Sequence, residues 1–233
     1  MKTLILVPAY NEEKVLGAVL AEIKADLPES DILVVNDGSS DRTQEVLGEI
    51  PDVFSLHLSS NLGIGGAIQA GFHFFLQKSY DTLLRIDGDG QHPPEQAGAL
   101  LDSLNKSDAD LVIGSRFIEK KGYQSSFGRR GGIKLLNILT SSILQQRITD
   151  NTSGFRAYNR RAIEHLVHDY PFDYPEPIEV YRLAKDGFRI TEIPVLMRAR
   201  QGGLTSINQL DSYLYLIKVL VTIFFKYSVG GNK

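Results

Sequence analysis

Short apolar runs and longer segments of helical period alternate along the first half of the chain. Leu4-Ile5-Leu6-Val7 is a continuous apolar run and reads as a buried strand. From Asn11 to Ala25 the period changes. Val15, Val19 and Ile23 recur every fourth residue with Leu16 and Leu20 beside them, which predicts a helix that Pro28 ends. Ile32-Leu33-Val34-Val35 is a second buried strand, broken by the turn signal Asn36-Asp37-Gly38-Ser39-Ser40. Ser40 or Asp41 then caps a helix to Ile50. Val53 to Leu58 reads as a third strand. The glycine-rich Asn61-Leu62-Gly63-Ile64-Gly65-Gly66 leads into a helix that reaches Gln77. Thr82 to Ile86 is a fourth strand, stopped by Asp87-Gly88-Asp89-Gly90, and Leu111-Val112-Ile113-Gly114 is a fifth.

Strands spaced by helices predict βαβ units. The expected fold class is α/β, a doubly wound, mostly parallel sheet with helices on both faces and a Rossmann-like nucleotide-binding half. Ligands bind such sheets beyond the carboxyl ends of the strands. Each polar cluster here follows a strand: Pro8–Glu13, Asn36–Ser40, Asn61–Gly66, Asp87–Gln91 and Gly114–Phe117. All are therefore expected on one edge of the sheet, as a single site. The second half is less regular. Gly122 to Gly132 reads as a basic, mobile loop, Ile133 to Gln146 as a helix, Thr152–Arg156 as a turn, and Arg160 to His168 as a helix. Phe188 to Val195 alternates like a strand with one polar face, and residues 211–229 form an apolar helix. The expected division is one large domain over 1–209 and a C-terminal apolar or amphipathic helix over 210–233.

Composition narrows the chemistry. With 42% hydrophobic and 23% charged residues, the 233-residue chain is an ordered domain rather than a disordered one. It has no cysteine, which excludes a disulfide framework, a thiolate metal site and a cysteine nucleophile. Met1-Lys2-Thr3 runs straight into the first strand, so no signal peptide is expected there. The net charge of −3 hides an asymmetry: residues 1–113 hold 7 basic and 18 acidic side chains, residues 114–233 hold 18 and 10. The acidic half suits a divalent cation, and the basic half suits phosphates or an anionic membrane surface.

Asp87 and Asp89, two carboxylates around a glycine at a strand end, can converge on one hard cation such as Mg²⁺ or Mn²⁺, which commonly bridges substrate phosphates. The plainer alternative is a solvated acidic turn. His92 is either a further ligand or an ordinary loop histidine. Asp37 can accept a hydrogen bond from a nucleobase N–H or can simply shape an Asx-turn. The glycine stretch fails as a dinucleotide fingerprint, because position 68 is Ile68 and the stretch follows the third strand. A P-loop and a Gly-x-Ser-x-Gly elbow are absent from the sequence. Of Arg116, Arg129, Arg130, Arg156, Arg198 and Arg200, the candidates for phosphate are Arg116 and Arg200, near glycine or serine at a strand end or loop.

In order, Pro8-Ala9-Tyr10-Asn11-Glu12-Glu13, Asn36-Asp37-Gly38-Ser39-Ser40-Asp41-Arg42-Thr43, Asp87-Gly88-Asp89-Gly90-Gln91-His92-Pro93 and Gly114-Ser115-Arg116-Phe117 closely resemble family 2 glycosyltransferases with the GT-A fold. Thr152-Ser153-Gly154-Phe155-Arg156 makes the chain similar to the dolichol-phosphate mannose synthase-like branch and its polyprenyl-phosphate relatives, over residues 3–205. The resemblance implies a nucleotide-sugar site of Pro8, Tyr10, Asn11, Glu12, Asp37, Gly66, Asp87, Gln91 and Ser206, with Asp37 reading the base. It implies Asp87 and Asp89 as metal ligands for Mg²⁺ or Mn²⁺, and Asp89, Arg116, Arg200 and Glu176 as the catalytic set. Ile64 departs from the basic residue that family members often carry there. Which of Glu176 and Glu179 faces the acceptor is left open.

The activity so implied is inverting, metal-dependent transfer from a GDP- or UDP-sugar to a lipid phosphate. The alternatives are transfer to a saccharide hydroxyl, with Glu176 or Glu179 as base, and a non-catalytic sugar-nucleotide-binding partner of a membrane protein. A sugar-1-phosphate nucleotidyltransferase would carry a basic glycine-rich loop where this chain has Pro8-Ala9-Tyr10-Asn11. No nucleic-acid partner is implied. Within 211–229, Lys218, Thr222 and Lys226 share one helical face and interrupt a run that would need about 20 apolar residues to span a bilayer. That helix is expected either at the membrane surface, making the protein cytoplasmic and peripherally bound to the inner face, or packed on the domain, a membrane partner protein or a second copy in a homodimer.

Overall fold

The structure is a computed structural model that describes residues 1–119, 137–138, 141, 147–173, 175–199, 218–219 and 221–222. The described strands are β1 (Thr3–Ala9), β2 (Asp31–Asn36), β3 (Phe54–His57), β4 (Thr82–Arg85), β5 (Leu111–Ser115), β6 (Arg156–Asn159) and β7 (Ile190–Pro194). They form one seven-stranded sheet in the order β3-β2-β1-β4-β6-β5-β7. Every strand points the same way except β6, which runs antiparallel to both β4 and β5. The mostly parallel, doubly wound sheet read from the sequence is therefore present.

Helices cover both faces. On one, α1 (Leu16–Asp26), α2 (Thr43–Gly48) and α4 (Ala97–Lys106) set Leu16, Leu20, Ile23, Leu47 and Leu100 against Ile5, Val7, Val34, Leu84 and Val112. On the other, α3 (Gly63–Gln77), α5 (Arg160–Leu166) and α6 (Pro175–Lys185) set Phe72, Phe75, Ile163 and Leu183 against Leu4, Leu6, Leu33, Leu83 and Tyr158. Because both faces are covered, successive strand residues are buried whichever way they point, and β1 and β2 are continuous apolar runs rather than alternating ones.

Several boundaries differ from the hydrophobic pattern. α1 begins at Leu16, not Asn11, because Asn11 takes a left-handed φ of 56° and the Glu12 carbonyl accepts the Val15 and Leu16 N–H groups at 3.1 and 3.0 Å. α2 spans only Thr43–Gly48. Arg42, not Ser40 or Asp41, is the N-cap residue and makes no side-chain cap; Asp41 Oδ1 accepts the Thr43 N–H at 3.0 Å from one position earlier. α4, β6 and α6 were not legible. α4 buries only Ala97, Leu100 and Leu104 in a polar segment, and β6 is four residues long and starts on an arginine. α6 opens on Pro175-Glu176-Pro177. The 122–132 stretch and most of the segments 133–146 and 211–229 lie outside the described residues. Asn137, Ile138, Ser141, Lys218, Val219, Val221 and Thr222 are helical, with Val219 buried.

The glycines at the start of α3 permit close packing. A Cβ on Gly65 would stand 2.1 Å from the Pro171 carbonyl oxygen and 2.4 Å from that of Phe172, both backbone atoms that cannot swing away. Gly65→Ala is expected to cost about 1–3 kcal/mol by overpacking. Gly98→Ala, in α4 with nothing within 4 Å of the added carbon, is expected to stabilise by about 0.4–1 kcal/mol. Urea titration of both variants checks this. Equal midpoints would contradict the close approach of α3 to residues 171–172.

Candidate active site

The carboxyl ends of β1, β2 and β4 point to one edge, and the loops after β1 and β2 are sewn together there. Asn11 Oδ1 accepts the Ser40 N–H at 2.8 Å, and the Asn11 N–H donates to Ser39 Oγ at 3.0 Å. The Glu12 N–H donates to Thr43 Oγ1 at 2.9 Å, that of Glu13 to Asp41 Oδ2 at 3.1 Å, and that of Arg42 to Glu13 Oε2 at 3.0 Å. Asn11 and the buried Glu12 thus hold the edge together, whereas Tyr10 projects from it, 46% exposed. The Pro8 carbonyl accepts the Gly88 N–H at 3.3 Å, tying β1 to the acidic turn after β4.

Asp37 is buried at the end of β2, and its Oδ1 accepts the Leu62 N–H at 2.7 Å. Burial pushes its carboxyl above the ordinary range, and the Leu62 and Gly63 amides pull the other way. Asp37 does not shape a local Asx-turn: Asn36 Oδ1 accepts the Ser39 N–H at 3.0 Å, while one Asp37 carboxylate oxygen anchors the distant loop that starts α3. Gly66 is a packing position, where a Cβ would stand 2.5 Å from Leu62 Cβ.

In the acidic turn, Asp89 is largely buried rather than solvent-facing, and its Oδ1 accepts the Gln91 N–H at 3.0 Å. His92 is not placed as a ligand. It is buried, stacks on Phe155 at 5.1 Å, and its Nδ1 accepts the Asp87 N–H at 3.0 Å. Burial pushes its pKa down, against the pull of Asp87 and Asp89, and with Nδ1 accepting that N–H the ring braces the turn. Among the described residues no cluster of three or more His, Cys, Asp or Glu could enclose a metal. The partly exposed Asp87 beside the more deeply set Asp89 instead fits a cation that takes its other ligands from phosphate oxygens and water, as Mg²⁺ and Mn²⁺ do.

Across the edge, at the end of β5, Arg116 is gripped by Asp150. Nε and Nη2 reach the two carboxylate oxygens at 2.6 Å each, and Nη2 also donates to Thr152 Oγ1 at 2.8 Å. The carboxylate is itself set by β7: Glu192 Oε1 accepts the Asp150 N–H, and Oε2 the Thr149 N–H, both at 2.8 Å. Burial raises the Glu192 pKa, offset by those same amides. Neither Asp150 nor Glu192 was singled out in the sequence. Their signal was faint: one acid after a masking polar run, one on the polar side of an alternating strand.

The largest surprise is a pair of buried arginines. Arg156 in β6 donates from Nη1 to Glu179 Oε1 at 2.7 Å and from Nε and Nη2 to the Ser153 and Asn151 carbonyls at 2.6 and 2.9 Å. Tyr170 donates its hydroxyl to Glu179 Oε2 at 2.6 Å. Both oxygens of Glu179 are thus committed inside the protein, and it cannot reach an acceptor. Arg85, ending β4, is paired with Asp87 Oδ1 at 3.0 Å and with Glu176 Oε1 at 2.9 Å. Burial opposes the charge on Arg85, but Asp87 and Glu176 outweigh it and raise its pKa. Arg200 and Ser206 lie outside the described residues, as do Arg129 and Arg130. The neighbouring Arg198 pairs with Glu22 at 2.6 Å and Glu95 at 2.8 Å, and its N–H donates to the Gln91 carbonyl at 3.0 Å. It therefore docks the segment after β7 on the acidic turn rather than offering itself to phosphate.

Residues 4–167 match the sequence profile of glycosyl transferase family 2. The chain is 36% identical over 216 residues to undecaprenyl-phosphate mannosyltransferase of Micrococcus luteus, covering 87% of this chain and 86% of that protein. It is 32% identical over 217 residues to polyprenol monophosphomannose synthase of Mycolicibacterium smegmatis, covering 89% and 81%. Its fold is similar to glucosyl-3-phosphoglycerate synthase of Mycobacterium tuberculosis, solved with Mn²⁺, UDP-glucose and phosphoglyceric acid, with a TM-score of 0.72 at 18% identity over 96% of this chain and 78% of that one. The fold is GT-A.

Removing one partner of the buried Arg156–Glu179 pair leaves an uncompensated charge. Glu179→Ala is expected to destabilise by about 3–5 kcal/mol. Chemical denaturation monitored by circular dichroism measures this, and a loss below 1 kcal/mol would contradict the burial of the pair.

Proposed function

This chain belongs to glycosyl transferase family 2, and we propose that it moves a sugar, with inversion, from a GDP- or UDP-sugar to the phosphate of a polyprenyl carrier. The names of its relatives support this acceptor class. The observation that carries it is the fate of the two candidate bases: Glu179 is sealed by Arg156 and Tyr170, and Glu176 is paired with Arg85. A saccharide hydroxyl must lose a proton as it attacks, so it needs a free carboxylate base. A lipid phosphate is already ionised at neutral pH and needs orientation instead.

In this reading Asp37 faces the nucleobase with the carboxylate oxygen not holding Leu62, and the exposed Tyr10 lies beside it. Asp87 and Asp89 are the residues that would hold Mg²⁺ or Mn²⁺. A cation bound there neutralises charge on the departing diphosphate. Arg116, fixed by Asp150, orients phosphate oxygens at the opposite end of the site. The acceptor oxygen bonds to the sugar C1 from the face opposite the diphosphate, and the bond from C1 to the diphosphate breaks with its electron pair leaving on that group. Arg200 and Ser206 are proposed to contact the donor phosphates and acceptor.

The test is transfer from GDP- and UDP-sugars to undecaprenyl phosphate with Mn²⁺. A labelled lipid product is expected. Asp89→Asn should cut turnover about 10²–10³-fold while moving Tm by no more than about 4 °C, since an Asn oxygen can still accept the Gln91 N–H. Asp37→Asn, which likewise keeps the Leu62 contact, should raise the donor KM about tenfold with kcat nearly unchanged. Label appearing only on saccharide hydroxyls, or undiminished turnover in Asp89→Asn, would refute the reading.

The same reading places the chain at the inner membrane face, where a water-soluble donor meets a lipid phosphate. No helix among the described residues is long and apolar enough to cross a membrane. The lysines of residues 211–229 suit anionic headgroups. Full-length protein should cosediment with anionic vesicles in a salt-sensitive way, and a chain truncated after Asn208 should bind them at least severalfold less. Equal binding by both would assign the helix to packing on protein instead.

A further inference from the structure

Arg85 and Arg156 are register partners on the antiparallel strands β4 and β6, so their side chains leave the same face of the sheet. Both are fully buried. α6 lies over them and presents Glu176 and Glu179, three residues apart on one helical face. Arg156 Nη1 hydrogen-bonds Glu179 Oε1, whereas Glu176 Oε1 stands 2.9 Å from Arg85 Nη1 as an ion pair without hydrogen-bond geometry, and their remaining contacts differ too. Arg156 spends its other N–H groups on the Ser153, Glu176 and Asn151 carbonyls, all backbone. Arg85 instead donates from Nε to Asp87 Oδ1 at 3.0 Å. It therefore joins a helix carboxylate to a carboxylate of the acidic turn.

Asp87 is held at several points and keeps part of its side chain exposed. Its N–H is held by His92 Nδ1, and its Oδ2 stands 3.7 Å from His92 Nε2. A Cβ on Gly154 would come within 2.8 Å of both Arg85 Nη2 and Asp87 Oδ2, so the arginine–carboxylate pair presses on bare backbone. An apolar side chain at position 85 would spare the cost of burying a charge. An unbalanced arginine would also repel a cation from Asp87. Glu176, 2.9 Å from Nη1, cancels that charge, so the pair holds the turn while adding no net charge to it.

We propose that Arg85 is a positioning residue for the cation site: it locks the Asp87 carboxylate through Oδ1, and Glu176 neutralises the arginine so that Asp87 keeps its full attraction for the metal. The inference rests on the reading of Asp87 and Asp89 as metal ligands. It assigns Glu176 a new role, acting through Arg85 rather than as a base. Partners of metal-ligating carboxylates set their orientation, and losing one typically weakens metal binding about 10–100-fold.

The experiment measures Mn²⁺ binding with GDP or UDP present, by the electron paramagnetic resonance signal of free Mn²⁺, alongside Tm. It compares the wild-type chain with Asp89→Asn, Arg85→Gln, Glu176→Gln and the double variant Arg85→Gln/Glu176→Gln. Arg85→Gln is expected to weaken Mn²⁺ binding about tenfold or more, and Glu176→Gln about threefold or more. The double variant should bind as Arg85→Gln does, because Glu176 acts only through the arginine. Lower Tm with unchanged Mn²⁺ affinity in both single variants makes the arginine merely structural and overturns the proposal. So do additive losses in the double variant. If Arg85→Gln does not fold, the partly exposed Glu176→Gln decides alone: unchanged Mn²⁺ affinity overturns the proposal. Wild-type protein that holds no Mn²⁺ refutes the metal reading itself. Binding lost in Asp89→Asn but kept in the Arg85 and Glu176 variants refutes this inference alone.

Discussion

Two arginines buried beneath one helix set the geometry on which the site depends. Charges inside a protein are tolerated only when fully paired, and Arg85 and Arg156 meet that demand with Glu176 and Glu179 from α6. The pairing pins α6 to the junction of β4 and β6, the place where the sheet changes direction. It also fixes everything near that junction: the acidic turn after β4, the Asn151–Ser153 backbone that caps Arg156, and Gly154 pressed against Arg85 and Asp87. With Asp87 set from below by Arg85 and from the side by His92, the turn is organised before any ligand arrives.

The rest of the edge is organised by hydrogen bonds between loops rather than by apolar packing. Asn11, Glu13, Asp41 and Thr43 knit the loop after β1 to the loop after β2, and Asp37 ties in the start of α3. On the far side, Glu192 sets Asp150, which sets Arg116. In the proposed reading the charge asymmetry of the sequence resolves into two flanks of one site. The acidic half supplies Asp37, Asp87 and Asp89; the basic half supplies Arg116. A donor carrying a base, a diphosphate and a sugar matches that succession of groups, and preorganised charge of this kind is where such a site would lower its barrier.

The commitment of both α6 glutamates changes the chemistry that the resemblance left open. With Glu179 sealed inside and Glu176 ion-paired to Arg85, the proposed reading favours an acceptor that arrives ionised. The motif Thr152–Arg156 also has a physical role on this basis. Ser153 and Arg156 close the buried network, Thr152 supports Arg116, and Gly154 leaves room for Arg85 and Asp87.

Much of this was legible along the chain, because continuous apolar runs, helical periods and turn residues are local signals. β1, β2, β4, β5 and α3 follow directly from them, and so does the gathering of polar clusters at one edge, since parallel strands must all end on the same side. Asp37, Asp87, Asp89 and Arg116 were visible as polar residues at strand ends. What the sequence could not reveal was partnership across distance. β6 is too short to look like a strand and opens on an arginine; it forms as the antiparallel ladder between β4 and β5, and its arginine is accommodated by Glu179 on α6. His92 could have been a ligand until its Nδ1 was seen to hold the Asp87 N–H. Glu176 and Glu179 are the same residue type three positions apart, and only their partners separate them: one joins Arg85 at the edge of the site, the other is sealed inside. A side chain's type is written in the sequence, but whether its charge is free, paired or buried depends on residues brought beside it by the fold.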